Sequence, residues 1–275
     1  MSWWAIDVRT APEERDRLGA WLVARTGQAV EERDDGTLVA FTPDEAVADE
    51  LMAELSRESG SSAETSRRKV ESVDWSLAWR DGLGPRSFGR LTVMPSWTSP
   101  APEGPVVVLD PENAFGSGEH GSTRVALTLL ERWVRPGDFV LDLGSGSGIL
   151  AIAAVKLGAV RAIGIEQDAE SNLVAARNAE RNGVADRIEL LEGDACELAP
   201  LLGPVDLVLS NILRMINTAL LPEVAQALRP AGLVIFSGME TAEAPFFRAP
   251  LEAAGFSVEE ELTDAGWWGV AARRR

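Results

Sequence analysis

Cysteine, histidine and long apolar runs are scarce in this sequence, and each shortage excludes something. One cysteine in 275 residues, Cys196, cannot form an internal disulfide, which fits a reducing compartment and suggests a cytoplasmic protein. One histidine, His120, excludes the usual multi-histidine metal sites, so no metal is expected, and any Ser-His-Asp triad would depend on that single ring. No stretch approaches the roughly 18 apolar residues that a membrane span needs. The segment Met1-Ser-Trp-Trp-Ala-Ile-Asp7 lacks the basic start and apolar core of a signal peptide. An excess of positive charge is also missing. A net charge of −17 disfavours direct contact with nucleic acid. It suits a basic partner, which an acidic field attracts, or it serves solubility alone. Internal repeats and low-complexity tails are absent. What is present, 45% apolar and 25% charged residues, is the composition of a soluble globular protein with room for two modest domains.

Residues 1–66 read as a small α+β unit. Trp3 to Arg9 alternates as a strand does. Thr10-Ala-Pro-Glu13 is a capping box opening a helix that carries Leu18, Trp21 and Leu22 and ends at Gly27. Gln28 to Arg33 and Thr37 to Thr42 flank Asp35-Gly36, a hairpin signal. Thr42-Pro-Asp-Glu45 opens a second helix with Val47, Leu51 and Leu55 on one face. A last short strand is expected between Ala63 and Val73, although Ser59 to Lys69 has the composition of a polar connection. The order β-α-β-β-α-β is that of a ferredoxin-like fold. Residues 67–90 form the expected linker. In it, Trp75 and Trp79 lie one helical turn apart, where they either pack two domains together or form a stacking platform.

Residues 91–275 form the second expected domain. Strand-like runs at 106–109, 139–143, 161–166, 187–191, 205–210 and 232–237 are mostly separated by helical stretches at 122–134, 149–157, 169–182, 216–228 and 241–254. This alternation predicts an α/β fold with a doubly wound parallel sheet and helices on both faces. The end differs: Phe256 to Leu262 and Trp267 to Ala272 read as a terminal antiparallel hairpin joined by Thr263-Asp-Ala-Gly266.

The most informative stretch is Val140-Leu-Asp-Leu-Gly-Ser-Gly-Ser-Gly-Ile-Leu150. An apolar strand runs into Gly144, Gly146 and Gly148, and an apolar helix follows at once. Without Cβ atoms the backbone can approach a ligand closely, and the new helix presents free N–H groups to it. The dinucleotide fingerprint wants G-x-G-x-x-G. Here the run is D-x-G-x-G-x-G, which resembles the first motif of class I S-adenosylmethionine-dependent methyltransferases. Arg161-Ala-Ile-Gly-Ile-Glu166 then ends a strand in an acid about twenty residues on, placed to accept both hydroxyls of a ribose.

The segment Asp110-Pro-Glu-Asn-Ala-Phe-Gly-Ser-Gly-Glu-His-Gly-Ser-Thr123 is rich in glycine and hydroxyl groups and precedes a helix. Ser122 and Thr123 can touch a cofactor, cap that helix, or do both. The segment resembles the A-F-G-T-G-x-H-x-T-T signature of the PrmA-type family, the methyltransferases of bacterial large-subunit ribosomal protein L-eleven (L11). The likeness extends to Asp74-Trp75, Trp79, Pro95-Ser-Trp97, Ala179-Glu-Arg-Asn-Gly183, Asn211-Ile-Leu213 and Trp268, covering roughly 74–275. It implies a class I methyltransferase domain joined by a linker to a ferredoxin-like domain that grips the ribosomal substrate. It also implies S-adenosylmethionine contacts at Thr123, Gly144, Glu166 and Asn211, with Gly146 in the same turn. Three positions depart from the family pattern: Ser117, Ser122 and Arg214.

Asn211 ends the strand Val205 to Ser210, at the carboxyl edge where open α/β sheets bind ligands. Its carboxamide oxygen can accept from an amine and aim that amine's lone pair at a methyl group, which makes Asn211 the candidate catalytic residue. Alternatively it is a turn or capping Asn. Asp194, in Glu192-Gly-Asp-Ala195, is placed like the acid that reads the adenine amino group in many class I enzymes. His120 serves as a base or shapes its loop, and methyl transfer from a sulfonium needs positioning more than a base. Trp267 and Trp268 line an entrance for the amine or pack the last strand, and the resemblance favours the entrance for Trp268. The reading is a protein N-methyltransferase acting on lysine ε-amines of L11, with its α-amine as a further acceptor. The alternatives are a methyltransferase for another protein lysine or a small-molecule amine, and a cofactor-binding scaffold without catalysis.

Overall fold

The computed structural model describes residues 3–26, 30–33, 36–42, 45–59, 63–70, 84–98, 103–110 and 118–275. They fall into two compact units that divide between residues 82 and 83. Gly27, Asp35, Trp75, Trp79 and Ser117, to which the sequence assigns roles, lie outside the described residues.

In the first unit, β1 (Trp3–Thr10), β2 (Glu31–Glu32), β3 (Leu38–Thr42) and β4 (Ala63–Val70) form an antiparallel sheet in the order β2-β3-β1-β4. The helices Pro12–Thr26 and Glu45–Ser59 complete the ferredoxin-like order expected from the sequence. Ile6, Val8, Leu18, Leu22, Leu38 and Leu55 form its core. Two details differ from the sequence reading. Val47 is exposed, and Ala48 turns inward with Leu51 and Leu55, a shift of one residue in helical phase. The polar run after Ser59 is a connection only in part, because β4 pairs along the whole length of β1 and extends past residue 66. An edge strand needs few apolar side chains and is protected by charged ones. Here Arg67 reaches Asp49 at 2.9 Å and Arg68 reaches Asp7 at 3.2 Å.

The second unit begins with a small sheet of β5 (Arg86–Phe88), β6 (Leu91–Met94) and β7 (Val106–Val108). Its main sheet contains β8 (Phe139–Leu143), β9 (Arg161–Glu166), β10 (Ile188–Glu192), β11 (Val205–Asn211), β12 (Leu228–Glu240), β13 (Phe256–Asp264) and β14 (Trp267–Arg274). The order is β10-β9-β8-β11-β12-β14-β13, with β14 antiparallel to both neighbours and the other pairings parallel. This is the class I methyltransferase arrangement. The chain winds away from β8 in both directions, so the topological switch point lies between β8 and β11.

Strand alternation sends Val140 to one face of the sheet and Leu141 and Leu143 to the other, so each face has its own core. On the first face the helix Ile149–Lys156 is buried from Ile149 through Val155, beneath the helix Gly121–Trp133. On the second, Leu221, Val224 and Phe247 pack on the sheet. The single helix expected at 216–228 is two, Arg214–Ala219 and Leu221–Ala227, with Pro222 in the first turn of the second. Proline has no N–H to continue the earlier helix. The terminal hairpin turns on two residues, Ala265 and Gly266, both at positive φ (47° and 84°). Among the described residues no helix is long and apolar enough to cross a membrane.

Candidate active site

β8 stops where the backbone turns left-handed. Gly144, Gly146 and Gly148 have φ of 69°, 52° and 79°, values that side chains rarely tolerate. A Cβ on Gly144 would stand 2.7 Å from Ile212 Cγ2. Asp142, buried beneath this turn, accepts the N–H of Ala151 at 3.1 Å and so holds strand, turn and helix as one piece. Burial pushes its carboxyl up to about 7; the Ala151 hydrogen bond opposes the shift and the Glu166 charge adds to it.

Glu166 ends the neighbouring strand β9. Its Oε2 accepts Gly146 N–H at 3.0 Å, and its Oε1 accepts Gln167 and Asp168 N–H at 2.8 and 3.1 Å. Three backbone donors fix the carboxylate, and Oε2, which accepts only one of them, has a lone pair left for a ligand hydroxyl. Asp194, just beyond β10, caps the short helix Ala195–Leu198 by accepting Cys196 N–H at 2.8 Å.

Asn211 ends β11. Its Nδ2 donates to Thr123 Oγ1 at 3.3 Å, while its Oδ1 is buried with no hydrogen-bond partner among the described residues. A buried acceptor without a donor is costly, and a ligand N–H would relieve it. Gly144, Gly146, Glu166, Asp194, Cys196 and Asn211 line one cavity of about 320 Å³ at the carboxyl edge of the sheet. Thr123 is not among the lining residues. It is fully buried behind Asn211 and reaches the cavity only through that side chain.

The structure settles the structural role of several neighbours. Neither Ser122 nor Thr123 caps the helix Gly121–Trp133; the capping position belongs to His120, whose Nδ1 lies 2.7 Å from Ser122 Oγ. His120 also packs on Trp267, with ring centroids 4.4 Å apart, so it shapes the loop against the terminal hairpin. Gly121 makes room for this contact, since a Cβ there would fall 2.5 Å from Trp267 Cδ1. Trp268 is not among the residues that line this cavity. It is 1% exposed and packs edge-on against Phe247 in the second core, because the strand alternation of β14 points it away from Trp267's face. Arg214 pairs with Glu243 at 3.0 Å.

Sequence reasoning missed the apolar wall of the cavity, Ile212, Ile216 and Leu220, and it missed Asn217. Asn217 is fully buried beneath the Asn211 loop. A signal was available: Asn217 falls in helical phase with Leu220, Leu221 and Val224, a polar residue on an apolar face.

These residues fit a nucleoside with a free ribose diol and a reactive centre near Asn211. The cradle excludes side chains, Glu166 Oε2 has a spare lone pair, and Asn211 Oδ1 lacks a donor among the described residues.

Comparison with known proteins agrees. A family model described as Ribosomal protein L11 methyltransferase (PrmA) matches residues 3–275. A ribosomal protein L11 methyltransferase of Pelotomaculum thermopropionicum is 43% identical over 229 residues, covering 82% of this chain and 74% of that protein. One from Gloeobacter violaceus is 34% identical over 285 residues, covering 98% and 88%. The crystal structure of a ribosomal protein L11 methylase from Lactobacillus delbrueckii subsp. bulgaricus superposes with a TM-score of 0.63 at 33% identity, covering 70% of this chain and 100% of that one.

Proposed function

The chain belongs to the family of ribosomal protein L11 methyltransferases, enzymes that use S-adenosylmethionine, and we propose that it methylates lysine ε-amines of L11, and the α-amine as well. The observation that carries this reading is Asn211 Oδ1, a buried acceptor without a donor at the edge of a nucleoside-sized cavity.

S-adenosylmethionine, when bound, supplies an electrophilic methyl group on a sulfonium. Gly144 and Gly146 would let the backbone approach it, Glu166 would accept a ribose hydroxyl at Oε2, and Asp194 would accept the adenine amino group. Asn211 accepts an N–H of the acceptor amine and turns the nitrogen lone pair toward the cavity. Thr123 holds the Asn211 amide so that its oxygen faces the amine. A lysine amine has a pKa near 10.4 in water and must lose its proton to react. Desolvation in the cavity favours the neutral amine. The rest is alignment, which is worth several orders of magnitude in rate.

In this reading the ferredoxin-like unit, whose last strand runs to Val70, holds the protein substrate, and the second unit, from residue 83, carries the chemistry. The charge of −17 supports a basic polypeptide partner and no direct contact with nucleic acid. The single cysteine and a ribosomal substrate support a cytoplasmic location. The test is transfer of label from S-adenosylmethionine to purified ribosomal proteins, with label expected in L11. Label confined to other proteins, with cofactor binding intact, would sink the substrate assignment. Loss of L11 labelling with unchanged cofactor affinity is expected when the first unit, residues 1–82, is removed.

A further inference from the structure

Asn217 sits at the centre of a hydrogen-bond network that the reaction described so far does not use. The side chain is fully buried, 0% exposed, under the loop that follows β11. Its Oδ1 accepts Ser210 Oγ–H at 2.6 Å, and its Nδ2 donates to the carbonyls of Ile212 and Ser237, each at 2.9 Å. Its backbone N–H donates to Leu213 C=O at 3.0 Å. Carbonyl oxygens only accept, so the amide cannot turn over without losing both of its donor contacts.

The network closes on Asn211. Ser237, held by Asn217 through its carbonyl, donates its hydroxyl to Ser122 C=O at 2.8 Å. The next residue is Thr123, which takes the Asn211 amide, and the residue after Asn211 is Ile212, whose carbonyl returns to Asn217. Gly238 lets this loop lie close to β12: it has φ of 84°, and a Cβ there would stand 2.3 Å from Ile212 O. Among the described residues, Asn211 Oδ1 is the one buried side-chain atom of this circuit without a partner.

We propose that Asn217 is the positioning residue for Asn211, holding the 211–213 loop so that the free carboxamide oxygen meets the acceptor amine. This rests on the reading of Asn211 as the residue that orients that amine. Asn217→Leu removes all three side-chain bonds, taking this donor from the Ile212 and Ser237 carbonyls and the acceptor from the Ser210 hydroxyl. Asn217→Asp keeps the shape and the bond from Ser210 but removes both donors. A displacement of about 1 Å at a reacting group costs on the order of 100-fold in rate.

The test measures kcat for L11 methylation, the Kd for S-adenosylhomocysteine and the Tm in the full chain for Asn217→Leu, Asn217→Asp and Asn211→Ala. For both Asn217 variants the expectation is a kcat reduced about 10- to 100-fold with cofactor Kd unchanged, a split that a loss of stability alone does not produce. Asn217→Asp remains informative if the leucine variant does not fold. If Asn211→Ala is impaired while a folded Asn217 variant keeps wild-type kcat, the positioning role is wrong. If Asn211→Ala itself is unimpaired, the reading of Asn211 fails, and this inference fails with it.

Discussion

Gly146 donates its backbone N–H to Glu166 Oε2 at 3.0 Å, tying the glycine turn after β8 to the acid that ends β9. The two features are twenty residues apart in sequence and form one half of the cofactor cradle in space. The turn keeps the carboxylate from swinging away, and the carboxylate keeps the turn from opening.

Removing Glu166 therefore removes a brace and, on the proposed reading, a ligand contact with it. Hydrogen bonds to a charged group contribute roughly 1.5–3 kcal/mol, so Glu166→Ala is expected to weaken S-adenosylhomocysteine binding about 10- to 150-fold. Isothermal titration measures this directly. Wild-type affinity in the variant would remove Glu166 from the site.

Asp142 makes the stability depend on pH. Its carboxyl lies at about 7 in the folded chain against an ordinary 3.8. Below the ordinary value both states carry the proton, and the group has no effect. As pH rises between about 4 and 7, the unfolded chain releases a proton that the folded chain keeps, so stability falls by up to roughly 4 kcal/mol. Asp142→Asn can still accept from Ala151 and has no proton to lose. Urea denaturation at about pH 4.5 and about pH 7.5 should show the variant gaining on wild type as pH rises. A constant difference would mean that Asp142 titrates normally.

Cys196 reports occupancy of the cavity that it lines, and it is the only cysteine in the chain. Partial desolvation, followed by the Asp194 charge, raises its thiol pKa although the residue is exposed, so alkylation speeds up in alkaline solution. At cofactor concentrations of about 100 Kd only roughly 1% of the sites stay empty. The iodoacetamide reaction, followed by mass, should then slow. An unchanged rate would place the cofactor elsewhere.

Trp268 belongs to the core, so its loss should cost stability and not cofactor binding. Trp268→Ala is expected to destabilise by about 3–5 kcal/mol in denaturant unfolding. The folded fraction should bind S-adenosylhomocysteine as wild type does. Weakened binding with unchanged stability would restore the entrance role.

The parallel sheet was legible because its strands are short apolar runs punctuated by glycine, and Phe139 to Leu143 and Arg161 to Glu166 match the observed strands end to end. Gly144, Gly146, Glu166, Asp194 and Asn211 were legible for the same reason: each follows a strand, and strand ends share one edge. Features set by tertiary context were not. β4 was expected as a last strand after Ala63, but its extent was not legible: an edge strand shows no apolar alternation, so Ser59 to Lys69 also reads as a polar connection. Val47 and Ala48 exchange roles over a single step of helical phase, which propensity does not resolve. Thr123 has the right residue type for a cofactor contact, but whether it touches the cavity or stands behind Asn211 depends on packing across 88 residues of sequence. Asn217 looked like one polar residue in an apolar run, and only the fold shows what it holds.

The central claim is that this chain methylates L11 through an amine held by Asn211. The most direct measurement is the intact mass of purified L11 after incubation with S-adenosylmethionine and either the wild-type chain or Asn211→Ala. The account predicts whole methyl increments on L11 with wild type and a severe loss of them with the variant, although both bind the cofactor. Unmodified L11 with the wild-type chain, or equal modification by the two, would contradict it.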